Sequence, residues 1–143
     1  MSLEKNKAIV CRFIEAINTQ NLALLNELIS PNFIYQPHQI QGLNRIKHII
    51  KEEITGFPDL QVTIEDIIAE GDKVWVRLTQ TGTHTGAFRG LQPTGKTITY
   101  TTVAIWHIVN GKVVEGWGVY DQIDYYKQLG VIDYKGFPDE KVS

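Results

Sequence analysis

The sequence predicts an α+β fold, in which N-terminal helices pack into a curved, mainly antiparallel sheet that stays open at one end like a cone. Two observations lead to it. Apolar residues recur at helical spacing up to Gly56, and from Phe57 onward they alternate with period two. No repeat and no linker interrupts the 143 residues, so one domain over residues 1–143 is expected, long enough to bury a core.

Taken in order, "SLEKNKAIVCRFIEAINTQN" carries apolar residues at 9, 10, 13, 14 and 17, the stripe of an amphipathic helix. "LALLNELIS" reads as a short second helix with Leu24, Leu25, Leu28 and Ile29 inward, stopped by Pro31. "NFIYQPH" is extended, and Pro37 favours a sheet edge or its end. A third helix, "GLNRIKHIIKEEITGF", places Leu43, Ile46, Ile50 and Ile54 on one stripe, with Gly56 as its C-cap. Strands follow at "DLQVTIEDIIAE", "VWVRLTQTGTH", "TITYTTVAIWHIV" and "GKVVEGWGVYDQ", the last two joined through an "NG" turn. The helix "DYYKQLG" closes the chain's regular structure.

The composition narrows the function classes. Hydrophobic residues make up 43% and charged residues 21%, with a net charge of −2 and no block of like charges. Neither nucleic acid nor a membrane surface is an expected partner, which leaves a small molecule or a protein. A single cysteine, Cys11, excludes an intramolecular disulfide and a cysteine-based zinc cluster. "MSLEKNKAIVCRF" has charges where a signal peptide needs an apolar run, and no stretch has the length of a membrane span, so a cytoplasmic location is expected. His38 and His48 fall on separate elements and no H-x-x-x-H or H-E-x-x-H occurs, so no metal is expected. "GAFRGLQPTGK" lies between strands and lacks the ending of a phosphate-binding loop.

One strand raises a chemical question. In "GKVVEGWGVYDQ", alternation puts Glu115, Trp117, Val119 and Asp121 on one face, against Val114, Gly116, Gly118 and Tyr120. Aspartate is depleted in strands, and a buried carboxylate is costly without a partner. Asp121 is either a functional acid or the cap of the helix that follows, a role Asp124 could also fill. The residues alone leave both open.

"TGTHTGAFRGLQPTGK" (residues 81–96), "GKVVEGW...D" (111–121) and "QLG" (128–130) resemble the SnoaL-like polyketide cyclases, within the nuclear transport factor 2-like (NTF2-like) and ketosteroid isomerase superfamily. The resemblance runs over nearly the whole chain and implies the cone fold, no organic cofactor and a homodimer. It also implies acid/base chemistry on a small hydrophobic carbonyl compound, such as intramolecular aldol cyclisation. Other expectations of the same fold are an isomerase, dehydratase or hydrolase on a lipid-like molecule, or a binding and dimerisation module without turnover.

The resemblance also assigns roles to residues. Asp121 matches the family's catalytic acid/base at the end of an E-x-W-x-x-x-D strand. His107 would be its partner, and its face depends on the turn. A two-residue "NG" turn pairs Val109 with Lys112 and sends His107 away from Asp121. A three-residue turn with Gly111 in a bulge brings His107 to the face of Glu115, Trp117 and Asp121. The family's basic residue near this position favours the bulged turn. Tyr35, Gln36 and His38, in the local order "YQPH", stand where relatives carry pocket residues. His84 either contacts substrate or fixes the Gly-rich loop after it, and Trp117 is expected as a pocket wall.

Overall fold

The computed structural model describes residues 2–135. Helix α1 (Leu3–Asn18) starts on Ser2, whose hydroxyl accepts from the Lys5 amide, and buries Ile9, Val10, Phe13 and Ile14. A single 3₁₀ turn at Leu22–Leu24 leads into α2 (Leu25–Leu28). This second helix is shorter than its apolar pattern suggests. Ile29 already has extended backbone and begins β1 (Ile29–Gln36), so Pro31 lies inside a strand. The strand tolerates it where pairing lapses, because the register between β1 and its neighbour breaks between Ile29 and Ile34.

The two-residue strand β2 (Ile40–Gln41) folds back on β1 and forms the sheet edge, and α3 (Leu43–Gly56) follows. Strands β3 (Gln61–Glu70), β4 (Lys73–Thr83), β5 (Thr97–Val109) and β6 (Lys112–Tyr120) form an antiparallel meander, and α4 (Gln122–Leu129) packs back on β5. The sheet order is β2-β1-β6-β5-β4-β3, antiparallel throughout except for the parallel pair β1–β6. Helix α1 lies across β3 and β4, and the Asn18 side chain ties its end to β3 through two 2.8 Å bonds with the Val62 backbone. The core lies between the helices and the concave face, where Val74, Val76, Ile98, Ala104, Trp106 and Val113 are buried.

A bulge decides what β6 presents to that core. Asn110 (φ 50°) and Gly111 (φ 78°) form a two-residue turn, and Val109 pairs with Lys112. The three-residue bulged turn expected at this hairpin is therefore not formed. The extra residue comes later: Ile108 pairs with Val113 but His107 pairs with Glu115, leaving Val114 unopposed. Val113 faces inward, and without the bulge Glu115, Trp117, Val119 and Asp121 would follow it. One added residue reverses the alternation. Gly116 is buried and Gly118 is half-buried, while Trp117 and Val119 are 46% and 63% exposed on the convex face.

Gly116 and Gly118 face inward because nothing larger fits. A Cβ on Gly116 would lie 2.3 Å from Trp106 Cζ3, and one on Gly118 would lie 1.8 Å from the Tyr35 hydroxyl. The Gly-rich connection after β4 is tied down just as closely. The Gly86 and Thr85 amides donate to the Gly56 carbonyl, and a Cβ on Gly86 would sit 1.9 Å from the Thr55 oxygen. Among the described residues no helix is long and apolar enough to cross a membrane.

Candidate functional site

The concave face and the helices enclose a cavity of about 520 Å³, within the range that holds a drug-sized ligand. Its walls are largely aromatic and aliphatic. Phe33 and Tyr35 come from β1 and Trp106 from β5, and the Tyr35 and Trp106 rings stack with centroids 6.1 Å apart and planes at 18°. Helix α1 contributes Phe13 and Ile14, and α3 contributes Ile46 and Ile50. The polar groups are few: Glu53, Tyr35, Tyr100, Tyr120, Gln80, Thr102, and at the margin His38, Arg45, Glu52, Arg89 and Gln122. The Thr102 hydroxyl donates to the Gln80 side-chain oxygen, which orients both inside the cavity.

Glu53 is the chemically distinctive member. It stands three residues after Ile50 and seven after Ile46, so the stripe that buries those isoleucines also carries its carboxyl into the cavity. Burial pushes its pKa up to about 7; the Arg89 charge opposes the shift and Glu52 adds to it. Glu52 is itself paired with His48 on the helix surface at 3.1 Å. Glu53 is thus a carboxyl that exchanges its proton near neutral pH, the property an acid/base residue needs.

The phenols around it stay protonated. Burial first, then the Glu53 charge, pushes Tyr35 up to about 12, and the same two causes raise Tyr100. Tyr120 is also raised, mainly by burial. Tyr100 and Tyr120 have centroids 5.4 Å apart, and Tyr125 packs edge-on against both from α4. The cavity therefore offers neutral O–H donors beside a carboxyl that can carry charge.

The residues expected from sequence are divided by this geometry. Tyr35 and His38 line the cavity. The lining includes neither Asp121, His107, His84, Trp117 nor Gln36. Asp121 is exposed and is the N-cap of α4, its carboxylate accepting from the Asp124 amide at 2.9 Å. The bulge at Val114 explains this placement, since it turns the Trp117–Asp121 parity away from the cavity. His107 does share a face with Glu115 and Trp117, but that face is convex, and its Nε2 meets the Asp72 carboxylate of the β3–β4 turn at 2.6 Å. The expected pair of Asp121 with His107 is not assembled at the cavity, and Trp117, at 46% exposure, is no wall of it.

His84 lies on the inward face with Val74, Val76 and Leu78, fully buried and outside the cavity lining. Its ring stacks on Phe57 at 5.2 Å, and its Nδ1 accepts from the Thr94 amide at 3.2 Å. The backbone N–H of His84 donates to Lys96 and its carbonyl accepts from Gly95, so the residue fixes both ends of the Gly-rich loop. Gln36 ends β1 opposite Trp117.

The capping role of Asp121 makes a prediction. Asp121→Ala is expected to lower unfolding free energy by about 1 kcal/mol, and Asp121→Asn to leave it nearly unchanged, as measured by urea denaturation. Equal losses in both variants would show that the carboxylate does more than cap.

With fold and site described, the class is plain: an α+β protein of the NTF2-like cone type, with a six-stranded, mixed, open sheet around a cavity. The chain belongs to the SnoaL-like polyketide cyclase family, whose model matches residues 7–129. It is similar in structure to AclR from Streptomyces galilaeus, provisionally assigned as a hydroxylase. The two are 31% identical with a TM-score of 0.83, over 92% of this chain and 100% of that one. It is also similar to IdmH from Streptomyces antibioticus, provisionally assigned as a polyketide cyclase. Here identity is 28% and the TM-score 0.75, over 88% of this chain and 99% of that one. TsrD from Streptomyces laurentii shares the fold at 22% identity and a TM-score of 0.84, over 92% of this chain and 99% of its own. No curated protein matches the chain in sequence.

Proposed function

We propose that this protein catalyses proton transfer at a carbon acid in a flat, hydrophobic carbonyl compound, as in intramolecular aldol cyclisation, and that Glu53 is its acid/base. The observation that carries the reading is a carboxyl in an aromatic cavity with its pKa pushed up to about 7. The ionised Glu53 takes a proton from the carbon next to a carbonyl. The electron pair of that C–H bond moves into the enolate, whose oxygen is met by a neutral phenol such as Tyr35 or Tyr120. The enolate carbon then attacks a second carbonyl of the same molecule, and the protonated Glu53 returns its proton to the new alkoxide. The Tyr35–Trp106 stack holds the substrate ring, and His38 contacts it at the margin.

The test uses a simple bicyclic ketone, 2-tetralone, as the carbon acid. Solvent deuterium is expected to enter its activated methylene faster with the protein than with buffer alone, as followed by proton NMR. Saturable binding of the ketone with no added exchange would favour a binding module and sink this reading.

The convex face supports a second element of the proposal, a homodimer. Ile68, Trp75, Val103, Trp117 and Val119 are 40–64% exposed there, an apolar area that a second copy would cover. Light scattering at micromolar concentration is expected to give twice the chain mass, and Trp117→Glu to give the monomer. A monomeric parent protein would remove the dimer from the account.

A further inference from the structure

We propose that the mouth of the cavity is a carboxylate subsite built on Arg89, so that the substrate is a flat aromatic acid and not a wholly neutral ketone. The inference rests on the reading that the cavity is the reaction site, and it deepens that reading by naming a group the substrate must carry.

Arg89 is held in a backbone conformation that arginine rarely takes. It has φ 47° and is followed by Gly90 at φ 80°, the two central residues of a tight turn closed by mutual hydrogen bonds between Phe88 and Leu91. Both central residues of such a turn need positive φ, which Asn-Gly or Gly-Gly meets with less strain than Arg-Gly. The turn is anchored by Phe88, which is buried against Phe57 and Tyr125. Strain of this kind persists where the surroundings impose it, and it points to a use for the side chain.

The side chain is positioned, but its hydrogen-bonding capacity is largely unspent. The guanidinium lies over the Phe88 ring at 4.8 Å from the centroid, and Nη1 donates to the Tyr126 hydroxyl at 3.4 Å. A guanidinium has five N–H donors, and among the described residues Arg89 spends them on two phenols only, Tyr126 and Tyr120. Among those residues no carboxylate lies within ion-pair distance of it, although it lines the same cavity as Glu53. Arg45 is a second cation of the lining in none of the described ion pairs, and Glu52, the marginal acid, lies 3.1 Å from His48 and not beside either arginine. The margin therefore carries two cations, Arg89 and Arg45, against the single acid Glu52, above an aromatic interior in which Glu53 feels the Arg89 charge without pairing with it. A planar, forked donor matches a carboxylate with two parallel bonds. An aromatic acid would lay its rings against the Tyr35–Trp106 stack and leave its carboxylate at the mouth, with Glu53 reserved for the reacting carbon.

The experiment compares 2-naphthoate with its methyl ester, a neutral ligand of nearly the same shape, by isothermal titration calorimetry at low salt. The acid is expected to bind the parent protein about tenfold more tightly than the ester, as a charge-assisted pair requires. Arg89→Gln should reduce that ratio to about one, through a loss of acid affinity larger than any loss of ester affinity, and Arg89→Lys should keep part of it because charge survives without the fork. Arg89 is exposed, so both variants are expected to fold, with circular dichroism as the check. Failure of naphthoate to saturate the parent protein, equal binding of acid and ester, or an undiminished ratio in Arg89→Gln overturns the subsite. Glu53→Gln separates the two proposals: it should lose exchange yet keep the acid-over-ester ratio. Exchange persisting in that variant would count against Glu53 as the base and leave the Arg89 result standing.

Discussion

Glu53→Gln is expected to slow deuterium exchange into 2-tetralone by roughly 10²- to 10⁴-fold, the usual contribution of a positioned acid/base. The same substitution is expected to stabilise the protein at alkaline pH. The folded carboxyl holds its proton up to about pH 7. In the unfolded chain it ionises near the ordinary glutamate value of about 4.3. Between those two values the native state binds more protons than the unfolded state, so stability falls as pH rises through that window. Below about pH 4 the group is neutral in both states and contributes no penalty. Above about pH 7 the penalty is fully present, on the order of 3 kcal/mol. Glutamine keeps the shape without the charge. Urea denaturation at pH 8 should therefore show Glu53→Gln more stable than its parent, with the difference vanishing at pH 4. Loss of activity coupled to gain of stability marks a residue retained for chemistry. A variant that is destabilised at both pH values would instead make Glu53 a structural group.

The second large effect tests which face of β6 looks inward. Gly116→Ala is expected to destabilise by about 1–3 kcal/mol, the usual cost of forcing extra volume into a packed core. The added Cβ would lie 2.3 and 2.6 Å from two Trp106 ring carbons and 3.2 Å from Phe33. Trp106 cannot easily retreat, because Phe13, Phe33 and Tyr35 pack round it at centroid distances of 5.0, 6.4 and 6.1 Å. Its remaining freedom is into the cavity, so the variant should also weaken ketone binding. On the convex face the same change would be neutral or favourable, since alanine generally suits a strand better than glycine by up to about 1 kcal/mol. Equal or greater stability in Gly116→Ala would thus place Glu115 and Trp117 back on the inner face.

The comparison of Gly116 with Trp117 also shows where sequence reading succeeds and where it stops. Helices α1 and α3 and the four-strand meander are legible because each has a long apolar period of one kind, and the short final helix is legible from the Gly130 that ends it. The "NG" turn was legible as a turn, and its two-residue form is what Asn110 and Gly111 adopt. The Val114 bulge was not, because a bulge of this kind requires no special residue and its effect is a change of parity at a distance. Alternation places Trp117 and Asp121 on one face without saying which; the resemblance puts that face at the pocket, and the bulge turns it outward. The two glycines spaced by one residue were the available clue, since a strand face without side chains leaves room for something bulky opposite it. The parallel β1–β6 pair joins residues some eighty positions apart, and no local pattern encodes it. Glu53 was within reach: a carboxylate seven residues after Ile46 continues the stripe of Ile46 and Ile50, half-buried where that stripe meets the cavity. The acid at the end of β6 is conspicuous because aspartate is rare in strands, and capping the next helix accounts for it.

The most direct measurement of the central claim is the pH dependence of kcat/KM for exchange, taken on the parent protein and on Asp121→Asn. If Glu53 is the base, the rate rises with pH to a plateau with a midpoint near 7, where burial has moved its proton, and Asp121→Asn follows the same curve. A profile already flat above about pH 5 would mean a base of ordinary acidity. Together with loss of exchange in Asp121→Asn, it would return the chemistry to the cap of α4 and contradict the assignment of Glu53.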